Sequence, residues 1–195
     1  MNKKILLDVD GVVIRPRHKY FSDKLSEDYG IPIEDILPFF KTDYKKAAKG
    51  QEDLKDILPS YLKQWNWTGT VDDFLNYWFE SEKDVDQRVI DLVAQLRTKG
   101  IQVFLASDNE AHRAKYLMQD VGLEKHFDGS FFSSTLGWTK SDPEFFKIVV
   151  DQIGCLAEEI EYWDDDSKNV DIASEFGIDG RVYSNFEDLK ESLSL

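Results

Sequence analysis

The stretch that decides the fold is Ile5-Leu6-Leu7-Asp8-Val9-Asp10-Gly11-Val12-Val13. An apolar run of strand length ends here in two carboxylates two positions apart, followed by a glycine that permits a tight turn. Positions i and i+2 of a strand point to the same side, so Asp8 and Asp10 are expected to face one crevice. Such a pair suits a nucleophile, a proton carrier and a metal site. A solvated junction between strand and loop is the simpler interpretation, and the motif alone leaves both open.

Four further apolar runs are predicted as strands, with helical patterns between the later ones. The predicted strands are Ile5–Val9, Ile101–Ala106, Ser130–Ser133, Ile160–Trp163 and Arg181–Tyr183. One helical pattern runs through Val89, Leu92, Val93 and Leu96 and stops at Lys99-Gly100. The alternation of strand and helix from about residue 86 onward predicts an α/β fold with a Rossmann-like parallel sheet, covered on both faces.

Residues 15–82 break this alternation, because they contain helical patterns and no convincing strand. One apolar stripe consists of Leu54, Ile57, Leu58, Tyr61, Leu62 and Trp65, and another of Val71, Phe74, Leu75, Trp78 and Phe79. Thr70 and Asp73 are placed to open the second helix. A helical block of this length is too long for a simple crossover. We therefore predict an inserted α-helical cap over residues 15–82 and an α/β core made of residues 1–14 and 83–195.

The charge balance indicates which partners to expect. The chain carries 38 acidic and 24 basic residues, a net charge of -14 that is spread over its whole length. This balance argues against binding to nucleic acid or to an anionic membrane. The single cysteine, Cys155, cannot form an internal disulfide, and no targeting segment or membrane-spanning run is visible. We expect a soluble cytoplasmic protein that acts on a small molecule as a monomer or a homodimer.

Two more predicted strands end in polar residues. Ser107 follows one strand and the run Asp164-Asp165-Asp166 follows another, while Lys140 stands just before a helix start. Because the carboxyl ends of parallel strands share one crevice, these groups are expected to lie beside the first acidic pair. The carboxylates would hold a hard cation, and Ser107, the helix amides behind it and Lys140 would hold a phosphoryl group.

Each of these residues also has a simpler explanation. Ser107 could serve only to cap its helix, and a lone Lys140 could be a solvated surface residue. The three consecutive aspartates repel one another unless a cation or a lysine lies nearby, and this favours a metal site.

The order of these motifs resembles that of the haloacid dehalogenase-like hydrolases. The motifs are Asp8-x-Asp10-Gly11-Val12, then Ser107, then Lys140, then Asp165-Asp166-Ser167-x-Asn169. The resemblance spans nearly the whole chain, and the cap stands where members that insert helices after the first motif have it. Leu136-Gly137-Trp138-Thr139-Lys140 and the Asp-Asp-Ser ending are similar to the sugar-phosphate phosphatase branch.

The resemblance implies a two-step reaction. Asp8 would attack phosphorus and become an aspartyl phosphate, and Asp10 would protonate the leaving oxygen and then activate water. Ser107 and Lys140 would bind the phosphoryl oxygens that are not transferred. The implied function is Mg²⁺-dependent hydrolysis of a small phosphomonoester such as a sugar phosphate. The alternatives are a phosphomutase of the same superfamily and a non-catalytic phosphate-binding or regulatory module.

The resemblance also implies a metal site. The ligands implied for Mg²⁺ are the carboxylate of Asp8, the backbone carbonyl of Asp10 and the carboxylate of Asp166. Ser167 and Asn169 set the register that selects Asp166, and a shift to Asp165 stays open. In the first register, Asp165 would sit beside the metal, through water or by orienting Lys140.

Two positions depart from the family pattern. Asp108 follows Ser107 where many members have Asn, and its charge would repel a phosphate if it pointed inward. Ser141 follows Lys140 where Pro is usual, so we expect a slightly altered loop with the role of the lysine retained.

Overall fold

A computed structural model describes residues 3–16 and 19–193 of the chain. Its five strands are β1 (Lys4–Asp8), β2 (Val103–Ser107), β3 (Gly129–Phe132), β4 (Ile160–Asp164) and β5 (Asp179–Val182). They form one parallel sheet in the order β3-β2-β1-β4-β5. This confirms the predicted parallel α/β sheet and places β1, with its acidic end, in the centre.

Helices connect the strands and form a separate region ahead of β2. The helices before β2 are α1 (Phe21–Tyr29), α2 (Ile33–Lys41), α3 (Asp43–Ala48), α4 (Leu54–Gln64), α5 (Val71–Ser81) and α6 (Gln87–Thr98). Those after β2 are α7 (Ala111–Lys115), α8 (Ser133–Leu136), α9 (Pro143–Ile153), α10 (Ser167–Glu175) and α11 (Phe186–Leu193). A π-helical segment, Tyr116–Asp120, extends α7, and short 3-10 turns lie at Leu123–Lys125 and Ala157–Glu159. Within the described residues, no helix is long and apolar enough to cross a bilayer.

The strand β1 is buried on both faces of the sheet, which explains why its residues 5–7 are all apolar. Ile5 and Leu7 point to a core that α6 covers with Val93, and Leu6 points to the opposite core, which α9 covers with Phe146. Successive side chains of a strand point to opposite faces, so a strand buried on both sides has no polar position until it leaves the sheet. Asp8 is the first polar residue after the apolar residues 5–7 of β1, and it stands at the carboxyl edge of the sheet.

Helices α1–α5 enclose a hydrophobic core of their own, which we call the helical-region core. It is built from aromatic and aliphatic residues that include Phe39, Leu58 and Trp78. Both predicted stripes lie on helices, α4 and α5, and Thr70 and Asp73 form the predicted capping box of α5. The helical character predicted for this part of the chain is thus confirmed. We propose that α1–α5 act as a cap domain over the α/β core.

The two chain segments that join the helical region to the sheet lie side by side. The amide of Arg15 donates to the carbonyl of Asp84 at 2.8 Å, and the amide of Asp86 donates to the carbonyl of Val13 at 2.9 Å. A third contact joins α8 of the α/β core to α3 of the helical region, where the Ser133 hydroxyl donates to the carbonyl of Ala48 at 2.5 Å. These contacts hold the helical region beside the carboxyl end of β1.

Candidate active site

A buried lysine joins the ends of the two central strands. Asp8 ends β1 and Asp164 ends the neighbouring β4. The ammonium of Lys140 donates to Oδ1 of Asp8 at 2.6 Å and to Oδ2 of Asp164 at 2.7 Å. Only 4% of Asp8, 3% of Lys140 and none of Asp164 is exposed to solvent. The predicted neighbourhood of Asp8 and Lys140 therefore exists, and the solvated alternative for Lys140 is wrong.

The charges of this group depend on one another. Burial by itself lowers the pKa of Lys140, but the negative charges of Asp8 and Asp164 outweigh burial and raise this pKa. Asp164 is also fixed by the hydroxyl of Tyr162 and by the side-chain amide of Asn169, the latter at 3.1 Å. The lysine thus stays protonated, and its charge opposes the rise that burial causes in the pKa of Asp8.

A third carboxylate completes a group that could hold a cation. One oxygen each from Asp8, Asp164 and Asp165 lie within 4.8 Å of one another. Burial, and then the charge of Asp164, raise the pKa of Asp165. Gly11 makes room for this residue: its φ is +104°, and a Cβ atom there would lie 2.2 Å from Oδ2 of Asp165. A set of carboxylate oxygens crowded in this way is the donor set that a hard cation such as Mg²⁺ prefers.

The last of the three aspartates has a different place. Asp166 is the N-cap of α10, and its carboxylate accepts a hydrogen bond from the Lys168 amide at 2.9 Å. The sequence analysis selected Asp166 as the metal ligand, but the structure brings Asp165, the open alternative, and Asp164 to Asp8 instead. The register differs because β4 continues to Asp164, one residue beyond the predicted end of the strand.

Asp10 is held by side chains from the segment after β2. Its Oδ2 accepts from the amide of Asn109 at 2.8 Å, and its Oδ1 accepts from the guanidinium of Arg113 at 3.2 Å. Asn109 also donates to the hydroxyl of Ser107 at 2.7 Å. Arg113 is fully buried and donates in addition to the carbonyl of Glu82 at 2.6 Å, at the end of the helical region. The network therefore links Ser107, Asp10 and the helical region.

Ser107 does not cap the helix that follows it. Glu110 is the N-cap of α7, and its carboxylate accepts from the amides of His112 at 2.8 Å and Arg113 at 2.5 Å. The capping alternative for Ser107 is therefore wrong, and these two amides are occupied by Glu110 and cannot bind a phosphoryl group as expected. Ser107 itself is buried at the end of β2, next to the end of β1.

One of the two departures from the family pattern, Asp108, stabilises the loop that carries Lys140. The carboxylate of Asp108 accepts from the backbone amide of Lys140 at 2.9 Å. Asp142, not Ser141, caps α9 by accepting from the amide of Glu144 at 3.0 Å. Asp108 is thus occupied by the lysine loop, which removes the objection that its charge would face a phosphate.

Three residues of this site have no individual role in the prediction from the sequence. Asp164 stands directly at the end of an apolar run, so a register counted from the buried strand would have included it. Asn109 follows the motif serine by two positions, which is a weak signal because asparagine is common at strand ends. Arg113 lies in a polar sequence, and only the three-dimensional packing of α7 against α5 buries it.

The fold and this cluster together define a Rossmann-like enzyme core whose candidate site lies at the carboxyl ends of β1, β2 and β4. The family model for haloacid dehalogenase-like hydrolases matches residues 3–177, and the chain belongs to this family.

Three individual proteins are similar to this chain over most of its length, at low sequence identity. The chain is 22% identical over 200 residues to a phosphorylated carbohydrates phosphatase from Thermotoga maritima, covering 98% of this chain and 88% of the relative. It is 23% identical to a GMP/IMP nucleotidase from Escherichia coli, covering 89% of this chain and 79% of the relative. A HAD family enzyme from Bacteroides thetaiotaomicron, crystallised as a magnesium complex, has the same fold with a TM-score of 0.84. That comparison covers 99% of this chain and 98% of the other, at 22% identity.

Proposed function

We propose that the protein is a Mg²⁺-dependent phosphatase that hydrolyses a small phosphomonoester through an aspartyl phosphate. The observation that carries the proposal is the buried group of Asp8, Lys140 and Asp164, in which one lysine bridges two carboxylates at the strand ends. The names of the relatives from Thermotoga maritima and Escherichia coli support phosphate-ester hydrolysis. The magnesium complex of the structural neighbour supports the choice of cation.

The residues present fit Mg²⁺. Asp8, Asp164 and Asp165 would hold the ion, and Gly11 leaves the space that Asp165 needs. When bound, Mg²⁺ neutralises negative charge on a phosphoryl group and orients it. In this proposal Asp165 replaces Asp166 as a ligand, because Asp166 is engaged at the start of α10.

Asp8 carries the covalent step in this proposal. Its Oδ1 accepts from the backbone amide of Val9 at 2.7 Å as well as from Lys140, so the carboxylate is held in one orientation. A carboxylate oxygen forms a bond to phosphorus while the bond from phosphorus to the leaving oxygen breaks. Lys140 supplies positive charge beside the transferred group, and the Ser107 hydroxyl would bind one of its oxygens.

Asp10 carries the protons. It donates a proton to the leaving oxygen in the first step and takes one from the attacking water in the second. That water releases inorganic phosphate and restores the Asp8 carboxylate. The two side-chain hydrogen bonds from Asn109 and Arg113 hold Asp10 in place during both transfers.

A panel of phosphate esters, assayed with Mg²⁺ and with EDTA, tests the proposal. We expect Mg²⁺-dependent release of inorganic phosphate, which the Asp8→Asn variant loses. A sugar phosphate belongs in the panel, because the sequence motifs favour that ester class and the Thermotoga relative is named for it. Isomerised ester without phosphate release would indicate a phosphomutase instead. Binding without any turnover would indicate a phosphate-binding module.

A further inference from the structure

A cavity of about 310 Å³ lies between the helical region and the site. This volume is at the lower end of the range of about 300–1,000 Å³ that is usual for ligand pockets. Most of its wall carries rings or an aliphatic side chain, namely Tyr20, Phe21, Leu37, Phe40, Tyr44 and Trp78, from the start of α1 and from α2, α3 and α5. The polar part of the wall consists of Ser22, Glu82, Asn109 and Arg113.

Two residues that hold the carboxylate of Asp10 line one part of this cavity. Asn109 and Arg113 line the cavity, and both donate hydrogen bonds to the carboxylate of Asp10. Since Asp10 would protonate the leaving oxygen, the cavity lies beside the place that the alcohol part of a substrate would occupy. From Asn109 and Arg113 the cavity extends among the helices α1, α2, α3 and α5.

The wall presents ring faces and edges. Phe40 packs edge-on against Trp78 with ring centroids 5.3 Å apart, and Tyr44 packs against Trp78 at 5.4 Å. Burial, then the charges of Glu110 and Asp10, raise the pKa of Tyr44, so its hydroxyl stays neutral. Rings of this kind bind another flat ring through offset or edge-to-face contacts. The rings offer little to the several hydroxyls of a polyol, and apart from the residues that hold Asp10 only Ser22 and Glu82 of the wall could replace the hydrogen bonds that those hydroxyls lose with water.

We propose that this cavity receives the leaving group and selects esters whose alcohol carries a flat, largely apolar ring. Acyclic polyol phosphates and sugar phosphates are then the poorer substrates, in contrast to the ester class that the sequence motifs favour. The inference rests on the proposed phosphatase function, because it assigns Asp10 to the leaving oxygen.

The first test measures kcat/KM of the wild-type protein with Mg²⁺ for esters of primary alcohols. The ring esters are 2-phenylethyl phosphate and inosine 5′-monophosphate, which separate an aryl ring from a nucleobase. The others are glycerol 1-phosphate and glucose 6-phosphate. We expect at least one ring ester to exceed both others by about tenfold or more. Hydrolysis that favours glycerol or glucose phosphate overturns the inference and leaves the phosphatase proposal standing, whereas hydrolysis of none overturns the phosphatase proposal.

The second test changes the wall. Leu37 is half-buried in the cavity wall, and Ile33 lies one turn earlier on α2, half-buried and outside the wall. Leu37→Asn should raise KM for the better ring ester about tenfold and KM for glycerol 1-phosphate much less. Leu37→Trp, which fills space, should exclude the ring ester and reduce kcat/KM for the smaller glycerol 1-phosphate only in part. The control Ile33→Asn should change neither. Equal effects of Leu37→Asn and Ile33→Asn on both esters would contradict a role for the cavity.

Discussion

Asp8 and Asp10 stand two positions apart, and different parts of the molecule hold them. Asp8 is fixed within the α/β core, by Lys140 and by the backbone amide of Val9. Asp10 is fixed by Asn109 and Arg113, and Arg113 also binds the carbonyl of Glu82 in the segment after α5. The proposed nucleophile is thus held within the α/β core alone, while Arg113, one of the two residues that hold the proposed proton carrier, also contacts the end of the helical region.

The largest effect is expected when Lys140, which holds Asp8 within the α/β core, is replaced. Lys140→Met leaves the buried carboxylates of Asp8 and Asp164 facing each other without their shared cation. Breaking a buried ion pair in this way costs about 3–5 kcal/mol, so urea denaturation should show a much lower free energy of unfolding, and activity should be lost.

Lys147→Met is the matched control for this variant. Lys147 lies on α9 and is exposed, where it pairs with Glu144 and Asp151. Its loss should leave the free energy of unfolding and the activity almost unchanged. If Lys140→Met were as stable as this control, the ion-paired state of the site would be wrong.

The proposed role of Asp10 as the proton carrier is tested by Asp10→Asn. Loss of proton transfer should lower kcat by about 10² to 10⁴ for an alkyl phosphate. With p-nitrophenyl phosphate, whose leaving group needs little acid assistance, the first step should proceed and only the hydrolysis of the aspartyl phosphate should stall. Stopped-flow absorbance should then show a burst of p-nitrophenol followed by slow turnover. Equal losses in the first step for both esters would argue against Asp10 as the acid.

The choice between neighbouring aspartates is tested by a pair of variants. Asp165→Asn should weaken Mg²⁺ binding by about 10 to 100-fold, because it removes one of three converging carboxylates. Asp166→Asn should bind Mg²⁺ normally, since asparagine also serves as an N-cap. The measurement is the rise in Tm with Mg²⁺ concentration, which follows from binding to the folded state. The opposite ranking of the two variants would restore Asp166 as the ligand.

The smallest effect is expected at the link between Asp10 and the helical region. Arg113→Lys keeps the charge but not the several directed hydrogen bonds of the guanidinium. We expect kcat for an alkyl phosphate to fall about tenfold. The first step with p-nitrophenyl phosphate should change much less, because that step needs little help from Asp10.

Arg88→Lys is the control for the Arg113 variant. Arg88 pairs with Asp86 at the surface of α6 and should be replaceable by lysine without an effect on either ester. A loss of activity in Arg113→Lys that is equal for the two esters would indicate a structural role, not positioning of Asp10.

Local periodicity was sufficient to predict most of the fold. The strands and the stripes of α4 and α5 were predictable because burial imposes a repeat of two or of about four residues on the sequence. The capping box of Thr70 and Asp73 was equally local. Only the ends of the elements differ, and at β4 one residue decides which aspartates reach the site.

The remaining features depend on packing between distant segments. Ser167 and Asn169 favour Asp166 as the ligand in the sequence, whereas the close approach of Asp165 to Gly11, which favours Asp165, exists only in the folded chain. The burial of Arg113 follows from contacts between α7 and the end of α5, which are more than 30 residues apart in sequence. The cavity likewise arises from four helices whose apolar residues the sequence analysis assigned to the core or left without a role.

The covalent step is tested most directly by the mass of the Asp10→Asn protein, quenched in acid after mixing with p-nitrophenyl phosphate and Mg²⁺. We expect the added mass of one phosphoryl group on the peptide that contains Asp8, and no added mass in Asp8→Asn treated in the same way. An Asp10→Asn protein without added mass, or an Asp8→Asn protein with near-native turnover, would contradict Asp8 as the nucleophile.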